Sequence, residues 1–114
     1  MSANRIQNEI LAALPRNEYQ RIHPFLQVEE WPSGKSLYTS GQRISHVYFI
    51  NTGMASLVSL TDEGSSIEVG VIGREGMVGI SAILGRDRMP HSAIVQLPGQ
   101  ALKMKLTELN NEFN

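Results

Sequence analysis

The sequence predicts a mainly β fold, a small sandwich or barrel entered through helices. Three observations point there. Turn signals recur at Ser33-Gly34, Ser40-Gly41, Asn51-Thr52-Gly53, Asp62-Glu63-Gly64, Gly73 to Gly76, Gly85 and Pro98-Gly99, at spacings of roughly 8–12 residues typical of all-β domains. Between the turns, apolar and polar residues alternate with the two-residue period of a half-buried strand. Helical periodicity is confined to the first 27 residues or so.

The lead-in, residues 1–27, reads as two helices. Over residues 4–14, Asn4 is placed to cap, and Ile6, Ile10, Leu11 and Leu14 share one face. Pro15 ends this helix or starts the next. The second begins near Asn17 and buries Tyr19, Ile22 and Leu26, with Pro24 interrupting it. Residues 28–106 carry the strands. In Ser66–Ile72, Ile67, Val69 and Val71 alternate with Ser66, Glu68 and Gly70, which predicts that they face inward. Ala93, Val95 and Leu97 make the same pattern against Ser92, Ile94 and Gln96, as do Leu102, Met104 and Leu106 against Lys103 and Lys105. The denser apolar runs 46–50 and 57–60 read as central strands. Tyr48, Phe49 and Phe25 read as core aromatics, and Trp31, ahead of Pro32, as packing at the edge of the domain or against a partner domain. Residues 107–114 read as the start of a helix capped by Thr107, whose body lies beyond Asn114 in a longer protein.

Bulk properties bound the function. The chain has 114 residues, 41% of them hydrophobic and 18% charged, which suits one domain with a modest core. With 10 Lys+Arg against 11 Asp+Glu, the balance argues against this chain by itself gripping a nucleic-acid backbone, which normally needs a clustered basic face. There are no cysteines, so disulfides, thiolate catalysis and cysteine-held zinc or iron–sulfur sites are excluded. No apolar run reaches the ~18–20 residues that span a bilayer, and the N-terminus lacks a signal-peptide pattern. A cytoplasmic domain without membrane contact is expected. An enzyme is not. His23, His46 and His91 lack the paired spacing of a histidine metal site on a barrel strand, and Gly79-Ile80-Ser81-Ala82-Ile83 lacks the second glycine of a nucleophile elbow.

The segment from Gly73 to Gln96 holds the remaining candidates. Gly73, Gly76 and Gly79 have neither dinucleotide-fingerprint nor P-loop spacing, and on residues alone they read as turn glycines. Arg86 and Arg88 flank Asp87 in what reads as a solvated tip, although they could also lend charge to a small anionic effector.

Taken in order, Gly34–Tyr38, Ser40-Gly41, Val47–Gly53, Ile67–Ile72, Glu75–Gly79, Ser92–Val95 and Ala101–Met104 resemble the N-terminal effector domain of the Crp/Fnr family of bacterial transcription regulators, within the cyclic-nucleotide-binding-domain superfamily. The resemblance implies an eight-stranded β-roll, or jelly roll, with N-terminal helices and a short cassette helix at Met77–Leu84. A long dimerisation helix and a DNA-reading winged helix-turn-helix would follow in the full-length homodimer. It also implies a ligand pocket between the cassette residues Met77, Val78, Gly79, Ile80, Ser81 and Ala82 and the facing Pro90, His91, Ser92 and Ala93. In the family, backbone amides and an arginine hold the cyclic phosphate and an acid holds the ribose. Here Ile80 stands where the acid is expected and His91 where the arginine is expected, while Ser92 matches the family's hydroxyl residue. Ile80 can accept no hydrogen bond, and an imidazole is a weaker anion partner than guanidinium. The departures argue against cyclic AMP in the family's usual mode and for a degenerate pocket, with Ile80 suited to pack it shut. The alternative is a stand-alone module of the same fold that docks to a partner protein.

Overall fold

A computed structural model describes residues 7–86 and 88–113. Two helices, α1 (Glu9–Ala13) and α2 (Arg16–Ile22), and a 3-10 turn at His23–Phe25 lead into the strands β1 (Gln27–Trp31), β2 (Ser36–Tyr38), β3 (His46–Leu60), β4 (Ser66–Ile72) and β5 (Met77–Val78). The helix α3 (Ile80–Ile83), β6 (Ser92–Lys105) and α4 (Leu106–Phe113) complete the chain.

The first helix is shorter than its periodicity suggests. Its cap is Asn8, whose side chain accepts from the backbone of Ile10 and Leu11; Asn4 and Ile6 lie outside the described residues. Pro15 stands at the N-terminal boundary of α2, and Pro24 converts the end of the second helix to 3-10 geometry. At the other end, Thr107 falls inside α4 and does not cap it, because the helix starts at Leu106, whose N–H donates to Ser45.

The mainly β prediction holds, with six antiparallel strands carrying it. The eight expected segments survive because two strands bend instead of breaking. The first half of β3 (46–50) pairs with 101–105 of β6 and with β5, and its second half pairs with 92–97 of β6 and with β4. β1 joins the former half of β6 and β2 the latter. Two four-stranded layers thus share two long strands, and the register shifts between Ile50 and Ala55 mark the bend. Gly53 (φ +89°) and Gly99 touch there. A Cβ on Gly53 would lie 2.7 Å from the Leu97 carbonyl oxygen, and one on Gly99 2.1 Å from that of Thr52. Only glycine permits this backbone approach.

The apolar residues form two clusters. Trp31, Tyr38, Ile50, Ala55, Val78, Met89, Ala93, Val95 and Ala101 fill the space between the layers. Leu11, Ile22, Val47, Phe49, Met77, Leu102, Met104 and Leu109 join the helices to the roll. Trp31 is a core residue, 1% exposed, and not an edge residue. Its ring packs at 60° to that of Tyr48, with centroids 5.8 Å apart, and its N–H donates to Glu29 Oε1 at 3.1 Å, which satisfies the polar end of a buried indole. Phe25, expected in the core, sits at the surface. Four further residues expected to face inward do not. Ile67, Val69 and Val71 are about half exposed, and Leu97 leaves the core just before the bend.

Candidate functional site

The cassette forms, but as two short elements. Met77 and Val78 pair with Phe49 and Tyr48 as β5, and only Ile80–Ile83 is helical. Gly79 joins them with φ +105°, a left-handed conformation that glycine adopts freely. A Cβ there would meet Ile44 and Val47 at 2.9 and 3.0 Å. This glycine therefore lets the cassette pack on β3.

The predicted site residues separate. Val78, Ala82 and Ala93 meet in the core between the layers, beside Met89. Met77 belongs to the helical side. Ile80 is 53% exposed and Leu84 77% exposed, so Ile80 does not plug the pocket as its chemistry suggested. Ser81 is half-buried, and its carbonyl accepts from the Arg86 N–H at 2.9 Å, closing the cassette loop. Pro90 is exposed, and its carbonyl accepts from Ser40 Oγ at 3.3 Å. The Ser92 hydroxyl accepts from the Ser40 N–H at 2.9 Å. Arg88 donates to the Gly41 carbonyl at 2.9 Å, the Gly41 N–H donates to the Met89 carbonyl, and the Met89 N–H donates to the Gln42 carbonyl. The approach to β6 is thus laced to that turn, and Ser92 already has a structural bond. Nδ1 of His91 is shielded from solvent and has no hydrogen-bond partner among the described residues; such an atom is uncommon in a folded protein.

The residues ahead of the cassette act structurally. Gly73 and Gly76 close a turn, with Gly73 N–H bonded to Glu75 Oε2 at 3.0 Å. Backbone donation from Gly73 and from Glu75 itself holds the Glu75 carboxyl below its ordinary range. That turn receives the lead-in helix: Asn8 Nδ2 donates to the carbonyls of Gly76 (2.7 Å) and Ile50 (2.8 Å), while Asn51 Oδ1 accepts from the N–H groups of Gln7 and Asn8. Sequence reasoning missed this buried network. The local signal was present in Asn8-Glu9 ahead of an apolar run, a capping pattern as good as the one at Asn4.

A cavity of about 350 Å³ opens between the lead-in helices, α3 and α4, with Met77, Ile83, Leu109 and Asn110 among its walls. Cassette and C-terminal helix therefore border one space. Among the described residues, no three His, Asp or Glu side chains gather as metal ligands, and no helix is long and apolar enough to cross a membrane.

A β-roll of bent long strands with a glycine-hinged cassette after the fifth strand defines a class of sensor and binding domains. Residues 28–114 match the family described as "Cyclic nucleotide-binding domain", and the chain belongs to that family. Solved structures agree. The N-terminal domain of a transcriptional regulator from Streptomyces coelicolor A3(2) superposes with a TM-score of 0.79 at 15% identity, over 96% of this chain and 77% of that one. The Thermus thermophilus catabolite activator protein gives 0.75 at 17%, over 91% and 49%. The regulatory subunit of a cAMP-independent protein kinase A from Trypanosoma brucei gives 0.76 at 19%, over 86% and 36%. At such identities the likeness is one of fold, and the chain spans about half of the Thermus protein and about a third of the kinase subunit. No curated protein sequence matches the chain.

Proposed function

We propose that this chain is the effector-sensing domain of a Crp/Fnr-type bacterial transcription regulator in which the cyclic-nucleotide pocket is degenerate. The observation that carries the reading is the chemistry at the two diagnostic positions. Ile80 offers a ribose hydroxyl nothing, and His91 offers a phosphate an imidazole whose shielded Nδ1 has no partner among the described residues. The effector is then a small anionic molecule other than a cyclic nucleotide, received beside Ser81, His91 and Ser92. The signal passes through the cassette to α4, because Ile83 and Leu109 wall the same cavity. From α4 it reaches a dimerisation helix and a winged helix-turn-helix in the cytoplasmic full-length homodimer. A ligand shifts such an equilibrium only by its differential affinity for the two states.

Thermal shift tests the reading. Cyclic AMP, cyclic GMP and cyclic di-GMP are expected to leave the midpoint unchanged. A ligand at 100 times its dissociation constant adds about 2.7 kcal/mol, on the order of 10 °C for a domain of this size. The double variant Ile80→Glu/His91→Arg is expected to gain a response to cyclic AMP. A full shift in the unaltered chain overturns the degenerate pocket. The kinase-subunit likeness supports a second reading, a module that docks to a partner protein with no DNA contact. A reading frame without a downstream helix-turn-helix decides for it.

A further inference from the structure

We infer that the cavity between the lead-in helices, α3 and α4 is a binding site for a small neutral aliphatic molecule that carries one hydroxyl or carbonyl group. Its walls include Ile10 of α1, Ile22 of α2, Phe49 of β3, Met77 of β5, Ile83 of α3 and Leu109 of α4. Among the described residues that line it, Asn110 alone is polar and none is charged. The site is separate from the space beside His91. Ile22, Phe49, Met77 and Leu109 belong to the cluster that joins the helices to the roll, whereas Ala93, close to His91 in the chain, lies between the layers. The inference therefore goes beyond the anionic effector and stands without it.

Size, charge and access select the ligand. The volume is about 350 Å³, within the roughly 300–1,000 Å³ of small-molecule pockets. An apolar cavity of ~150 Å³ holds benzene, so this one suits roughly nine to fourteen non-hydrogen atoms. A carboxylate or ammonium group would lose its water here with no opposite charge in the walls. Asn110 both donates and accepts, which matches one hydroxyl or carbonyl, but a single amide cannot give several waters the ~3 partners that each usually finds. Access is apolar as well. Ile80 stands three residues before Ile83 and four before Leu84, so the three share one face of α3. Ile80 and Leu84 are exposed, and that face leads from solvent to the cavity wall. A ligand seated there touches Ile83 of the cassette and Leu109 of α4 at once, so its occupancy bears on the spacing between them.

Methyl-resolved NMR of the 114-residue chain, titrated with 1-octanol, tests the site. Saturable shifts are expected at the methyl groups of Ile10, Ile83 and Leu109, with a dissociation constant on the order of 100 μM. Ile67 and Val69, exposed on β4, are expected to stay unmoved. Octanoate, which adds a charge to the same chain length, is expected to bind roughly tenfold more weakly. Ile83→Trp fills the cavity from a position already 36% exposed, and is expected to keep the fold and lose octanol. Asn110→Leu, at a half-buried position, removes the hydroxyl's partner and is expected to weaken octanol about fivefold. No saturable shift, equal shifts at Ile67 and Val69, octanoate bound as tightly as octanol, or undiminished binding in folded Ile83→Trp or Asn110→Leu each overturns the assignment.

Discussion

Asn8 has a fully buried side chain, and its amide makes four hydrogen bonds: two to its own helix, one to β3 and one to the turn before β5. Removing it strands two carbonyls and two N–H groups away from water. Asn8→Ala is expected to cost about 3 kcal/mol, combining a lost cap with unpaired buried groups, measured by urea unfolding. Asn8→Asp keeps the cap and still destabilises, since a carboxylate cannot donate to Ile50 and Gly76. His46 carries a pH dependence. Burial, then Lys103 and Lys105, lower its pKa against the opposing pull of Glu29. The unfolded chain therefore binds this proton at a higher pH than the folded one does. Stability is flat above the unfolded value of about 6.5 and falls as pH drops from there to the lowered folded value. Urea midpoints at pH 7.5 and 5.5 show this contribution, and His46→Gln removes it.

At the scale of the element, the two bends decide the architecture. β3 and β6 serve both layers because their backbones pass within contact at Gly53 and Gly99. Gly99→Ala forces a methyl into the Thr52 peptide, and backbone cannot yield as a flexible side chain does. The expected loss is ~3 kcal/mol or more, read as a drop in thermal midpoint. Gly34, with nothing within 4 Å of a built Cβ, tolerates alanine better, at the cost of its positive φ alone. The contrast separates a steric demand from a conformational one.

At the scale of the whole molecule, the order of elements was legible because turn chemistry and period-two alternation act locally. Which face of a strand is covered is not local. Ile67, Val69 and Val71 alternate as a buried row does, and nothing within Ser66–Ile72 discloses that β4 ends the sheet. Trp31 looked peripheral beside Pro32, yet residues from β2, β3 and β6 close over it. The site divides the same way. The exposure of Ile80 is set by packing that the cassette sequence does not disclose, and the bond from Ser40 to Ser92 spans a separation of 52 residues that no sequence window holds. The Asn8–Gly76 bond has a practical corollary, since Met77 follows Gly76 directly and leads into the cassette. The exposed residue just ahead of Asn8, Gln7, therefore sits next to a side chain that is hydrogen-bonded to the turn leading into the cassette. A dye on a single cysteine introduced there is expected to report any displacement of that turn without altering a cassette residue.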